Sequence, residues 1–116
     1  MPTAAGQTLG TSGDGLVKAI TPTDNKVSVF TIPAGISAVT AVITGYGASL
    51  LFSQSVAQAD SLPAVNAGGR LDLPVNSTLD ISPMRCGVGG QTAWTVGVAS
   101  TNGTDFPTVQ MSVKVA

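Results

Sequence analysis

Histidine and glutamate are absent from this 116-residue chain, cysteine occurs once, and five residues are aromatic. Each shortage removes a class of function. Without histidine there is no Ser-His-Asp or Cys-His arrangement in which a base activates a nucleophile. A single cysteine, Cys86, builds neither a disulfide framework nor a thiolate metal site. Charge is scarce too, at 9% of residues, against roughly 25% in an ordinary soluble domain. The five cations (Lys18, Lys26, Arg70, Arg85 and Lys114) stand singly and the net charge is −1. No basic stripe is present to displace the counterions of a nucleic acid, so no direct nucleic-acid partner is expected. The apolar runs are only a few residues long, which leaves nothing to span a bilayer as a helix and predicts no membrane partner. The first residues, MPTAAGQTLG, lack the basic and apolar regions of a secretory signal. Asn76-Ser77-Thr78 and Asn102-Gly103-Thr104 fit the glycosylation sequon, and without such a signal they read as turn residues.

What is abundant is small and β-favouring: Val, Thr, Ala and Gly occur 14 times each. A surface built from them has little like-charge repulsion to hold copies apart, and reads as one made to be covered. Residues 1 to 15, with four glycines and three threonines, are expected to form an extended N-terminal arm in which Leu9 is an apolar anchor for assembly. Strands are predicted from Leu16 to Ile20 and from Lys26 to Ile32. Pro33-Ala34-Gly35 then forms a corner, because proline lacks an amide donor and glycine permits positive φ. From Ile36 to Thr44 the apolar Val39, Ala41 and Ile43 share one face, and Thr40, Val42 and Thr44 the other. Ala48 to Ser55 is the next strand, where adjacent Leu50 and Leu51 require partial cover on both faces. Residues 56 to 70 read as a long loop. Leu71, Leu73 and Val75 alternate, as do Leu79 and Ile81, and a Gly-rich connection follows from Ser82 to Gly90.

The last two strands carry the clearest period-2 pattern. Trp94, Val96 and Val98 alternate with Thr95, Gly97 and Ala99. Val109, Met111, Val113 and Val115 alternate with Thr108, Gln110, Ser112 and Lys114. Both read as half-buried strands, and Asn102-Gly103 between them favours a hairpin. No helical periodicity runs for ten residues. Seven or eight short antiparallel strands from residue 16 to 116 predict a single all-β domain, a β-sandwich or jelly roll, with residues 1–15 as its arm.

The residues left for chemistry are few. Paired carboxylates must be aspartates; Asp72 and Asp80 flank a potential hairpin, but solvated strand-edge aspartates is the plainer reading. Gly87-Val88-Gly89-Gly90-Gln91-Thr92 lacks the lysine and the following helix of a phosphate cradle and reads as a structural loop. Arg85 beside Cys86 would lower a thiol pKa, yet an inert, half-buried cysteine is the commoner case. Trp94 is a sugar-stacking platform or a core residue, and its alignment with Val96 and Val98 favours core. No catalytic, cofactor-binding or metal-binding residue emerges, and the chain reads as no enzyme.

Three stretches carry a family resemblance: FTIPAGISAV (Phe30 to Val39), GYGASLLFSQS, and LPAVNAGGRLDLPVNSTLDI. A strand ending in Ile-Pro-Ala-Gly, a glycine-punctuated strand, and an AGG-x-L-x-L-P segment feeding another strand resemble small β-rich virion proteins of tailed bacteriophages, among them the capsid decoration or cement proteins. The resemblance covers about residues 26 to 82. It implies a β-sandwich or jelly roll on the capsid exterior of the virion, frequently trimeric, whose partner is the major capsid protein and which clamps neighbouring capsid subunits without catalytic residues. Other readings are a head-fibre, tail or adhesin module of a virion, or a lectin-like module that takes glycans through Tyr46 or Phe106.

Overall fold

Backbone pairing defines the molecule. The computed structural model describes residues 3–22, 27–53, 70–84, 92–102 and 104–115. They form nine strands: β1 (Thr3–Thr8), β2 (Val17–Ile20), β3 (Val27–Ile32), β4 (Ile36–Thr44), β5 (Ala48–Ser53), β6 (Leu71–Leu73), β7 (Thr78–Asp80), β8 (Trp94–Ser100) and β9 (Thr108–Val115). From β2 onward, first pairs with last: β2 with β9, β3 with β8, β4 with β7 and β5 with β6, all antiparallel. Strands β2 to β9 are thus one long two-stranded ribbon, folded back between β5 and β6 and wound so that successive rungs fall in opposite sheets. Pairing of β4 with β9 and of β5 with β8 then closes the two sheets. The resulting orders, β2-β9-β4-β7 and β3-β8-β5-β6 with β1 added beside β3, describe a jelly roll.

The sequence pattern explains why the sheets stack. On β4 the predicted alternation holds, with Val39, Ala41 and Ile43 buried and Thr40, Val42 and Thr44 facing outward. Opposite them, Phe30, Ile32, Leu50, Trp94, Val96 and Val98 project from the five-stranded sheet into the same core. Trp94 is 3% exposed, and its ring stacks on Phe52 with centroids 6.5 Å apart. The Pro33-Ala34-Gly35 corner carries the chain from β3 to β4, and Gly35 supplies the positive φ of 87°.

Three expectations are corrected. Residues 3–8 are not an arm outside the sandwich: they form β1, parallel to β3, and Leu9 is buried in the main core. The composition argument missed this because an edge strand needs little apolar area of its own when the Leu9 side chain anchors it. At the β1 bulge, a methyl group on Gly6 would lie 1.8 Å from the Val29 carbonyl oxygen, so only glycine fits there. The second correction is that β8 and β9 are not a hairpin, for they lie in opposite sheets. Their connection is long enough to cross the sandwich and is held by Ser100, whose hydroxyl donates to the Asp105 carbonyl at 2.7 Å.

The third concerns β8, expected to be half-buried. All seven of its residues are buried. Its outward Ala99 joins Val27 and Val29 of β3 and Leu51 of β5 in a second small apolar cluster, and Thr95 is 2% exposed with its hydroxyl 2.5 Å from that of Ser53. The adjacent leucines of β5 divide as expected, Leu50 in the main core and Leu51 in the second cluster. Residues 54–69, expected to end a strand and form a long loop, and residues 85–90 of the Gly-rich connection, including Arg85 and Cys86, lie outside the described residues.

Replacing Trp94 by alanine is expected to lower unfolding free energy by about 3–5 kcal/mol, as large-to-small core substitutions do. Thr95→Ala is expected to cost about 0.5–1.5 kcal/mol, because it removes the buried hydroxyl–hydroxyl bond to Ser53. Urea denaturation of both variants checks this; a negligible loss at Thr95 would place that face of β8 in solvent.

Candidate functional site

Strand register decides which surfaces are available. The outer face of the five-stranded sheet is already buried along β3, β5 and β8. The four-stranded sheet differs. Its β2 contributes Val17 and Ala19, exposed and opposite Ser112 and Gln110 of β9. Beyond β9, Thr40 and Val42 of β4 stand opposite Ser112 and Gln110, and Thr78 and Asp80 of β7 stand opposite Val42 and Thr40. The face is therefore a continuous field of short hydroxyl, amide and aliphatic groups. Its charges are Lys114 on β9 and Asp80 on β7, and Asp80 is engaged locally. One of its carboxylate oxygens accepts from the Ser82 amide at 3.0 Å and from the Ser82 hydroxyl at 2.6 Å.

A second surface is the end of the sandwich where three connections meet. Thr44 pairs with Thr108, Ala48 with both Ser100 and Leu73, and Val42 with Thr78. This brings the 45–47, 74–77 and 101–107 turns together. Tyr46 and Val75 are exposed there, at 51% and 45%, while Phe106 is partly buried. The Asn76 amide donates to the Ile43 carbonyl and the Ser77 carbonyl accepts from Ile43, fastening the 74–77 turn to β4. Asn102 organises its neighbour: its side-chain oxygen accepts the amides of Thr104 and Asp105, each at 2.9 Å, and its side-chain nitrogen donates to the Asp105 carboxylate at 3.0 Å. The two aromatic residues named as glycan contacts thus do share one end, but only Tyr46 is openly presented.

Asp72 and Asp80 do not form a catalytic pair. Asp72 lies on β6 and Asp80 on β7, in different sheets, so the hairpin that would have joined them does not exist. Asp72 accepts from the Ser49 hydroxyl at 2.5 Å and pairs with the Arg70 Nε at 3.0 Å. Half-exposed, that ion pair contributes about 0–1 kcal/mol. Ser82 is buried beside Asp80, but it accepts from the Val39 amide at 2.7 Å while donating to Asp80. It fastens the chain after β7 to β4, and with no histidine in the chain no imidazole base can activate it. The shallow crevice between Ile36, Val39, Ser82 and Trp94 has no enclosed room even for a water molecule, whereas small-molecule sites enclose roughly 300–1,000 Å³. Among the described residues no three acidic or sulfur-bearing side chains gather as a metal site would require.

Sequence reasoning named no residue of this face, yet the outward positions Thr40, Val42, Gln110 and Ser112 were legible in the alternation of β4 and β9. What it missed was that the two strands pair, making one continuous face of their outward residues. Comparisons with protein-family models, with curated proteins and with solved structures returned no match to this chain.

The face carries no folding burden, so Thr40→Lys with Val42→Lys is expected to change stability by less than about 1 kcal/mol. Asn102→Ala should cost about 1–2 kcal/mol by freeing the amides of the 101–107 turn. Urea melts of the two variants separate a docking surface from a structural one.

Proposed function

We propose that this protein is a structural binding module of a virion, a bacteriophage capsid decoration protein that seats on the outer capsid surface and holds neighbouring subunits of the major capsid protein together. The observation that carries this reading is the open face of the four-stranded sheet. It is extended, poor in charge, and built of groups that pack and hydrogen-bond without attracting a particular small ligand. The jelly-roll winding and the resemblance of residues 26 to 82 to decoration proteins point the same way.

Magnitudes favour several copies acting together. Strands of the observed lengths, spaced about 4.8 Å and rising about 3.4 Å per residue, give the face an area of about 400 Å². One such contact buries about 800 Å² in total, below the roughly 1,200–2,000 Å² of stable standard-size interfaces. Joined copies overcome this shortfall, since each further contact becomes intramolecular once the first has formed. The protein therefore acts as a homo-oligomer, and a trimer seated where capsid subunits meet satisfies both the area and the symmetry of closed assemblies.

Binding through this face depends weakly on salt, because screening acts on exposed charges and few are involved. Protein stripped from particles should rebind with little change between low salt and several hundred millimolar. The Thr40→Lys, Val42→Lys variant should fold normally and fail to rebind. Release by moderate salt, or full rebinding of that variant, would overturn the assignment of this face. Retention on a glycan array through Tyr46, lost in Tyr46→Ala, would favour the lectin-like reading instead.

A further inference from the structure

Strand β1 lies at the edge of the five-stranded sheet. Among the described residues it pairs with β3 alone, in parallel, through Thr3↔Val27, Ala4↔Ser28, Gln7↔Phe30 and Thr8↔Thr31. Leu9 follows as its anchor, with its side chain in the core and its amide donating to the Thr31 carbonyl at 2.8 Å. The rest of the chain is reached through residues 10–16, a segment with three glycines that closes on itself. The Gly10 amide donates to the Gly15 carbonyl at 2.8 Å, and the Gly15 amide to the Ser12 carbonyl at 3.3 Å.

We propose that in the homo-oligomer each copy gives β1 and Leu9 to the β3 edge of the next copy. This rests on the oligomeric reading above and supplies its joint. Opening the 10–16 loop gives up the Gly10–Gly15 and Gly15–Ser12 backbone hydrogen bonds, the short 3-10 turn Gly13–Leu16 and the packing of that turn on β2 and β9, all in a largely solvent-facing segment. Every contact of β1 and Leu9 is then remade on the neighbour, so the exchange loses nothing at the strand itself, the condition that makes element swapping a low-cost route to assembly. Reach is sufficient: seven residues extend to about 24 Å at roughly 3.4 Å each, and the shortest dimension of the molecule is 23 Å. The receiving site is specific, because the contact of Gly6 with the Val29 carbonyl and the Leu9 socket fix the register. Passed from copy to copy in one direction, the exchange is heterologous and closes as a ring, which agrees with a trimer and not with a two-fold dimer.

The test links the two strands covalently. Thr8 and Thr31 face each other in register, one exposed and the other partly exposed, at a separation within disulfide range for adjacent strands. In a Cys86→Ser background, Thr8→Cys with Thr31→Cys is oxidised and run denatured on a non-reducing gel, with the native mass measured beside it. Exchange gives covalent dimers and trimers as the main oxidised species. A native oligomer that yields only internally linked monomers overturns exchange while leaving the oligomeric reading intact; a native monomer overturns both. Should the cysteine variant fail to fold, removal of residues 1–8 decides the matter. Exchange predicts a folded monomer, judged by Trp94 emission, and a truncated protein that remains a full oligomer overturns it.

Discussion

Strand β8 has no free side. Its backbone is hydrogen-bonded to β3 along one edge and to β5 along the other, and both of its faces are buried. Every other feature refers back to this requirement. A strand covered on all sides accommodates only small or apolar residues, and WTVGVAS supplies them: one large ring, two hydroxyls, each within reach of a partner, and no charge. The inward set Trp94, Val96 and Val98 forces a second sheet to lie beneath, and the outward set with Val29 and Leu51 makes a smaller cluster above.

The asymmetry of the molecule follows. The five-stranded sheet spends both its faces on folding, whereas the four-stranded sheet spends one. That leaves β2, β9, β4 and β7 with an outer surface on which composition is unconstrained by packing, and there the chain still places hydroxyls, amides and short aliphatics in preference to charges. Antiparallel sheets with one wet face ordinarily alternate apolar with strongly polar residues. The departure at Val17, Ala19 and Val42 is what sets this face apart from a merely solvated one.

Period-2 alternation made most strands legible, because β4, β8 and β9 bury alternate or all residues and their boundaries coincide with Gly, Pro or Asn. Partnership was less accessible. Asn102-Gly103 between two strong strands is a hairpin signal, and nothing local in those residues says that five further positions let the chain cross to the other sheet. β1 was invisible for a related reason. Its TAAGQT sequence has no alternation of its own, and it is recruited by the β3 edge and the Leu9 socket, both distant in sequence. Thr95 escaped for want of any sign that its face is covered; a threonine between apolar residues reads the same on a wet surface as on a buried one with Ser53 alongside. The open face needed both kinds of information, the alternation that the sequence displays and the β4–β9 pairing that it does not.

The placement of the rare aromatic residues has an optical consequence. The chain holds one tryptophan and one tyrosine, and the fold puts them in opposite surroundings: Trp94 sealed against Phe52 in the interior, Tyr46 half in water at the end of the sandwich. Each therefore reports on a different event without any label. The indole emits from an apolar, water-shielded site and follows the integrity of the core. The phenol is open to quenchers and to any molecule that settles on the turns around it, and energy passing from phenol to indole measures the distance between tip and interior. A single unmodified sample thus carries its own pair of spectroscopic gauges.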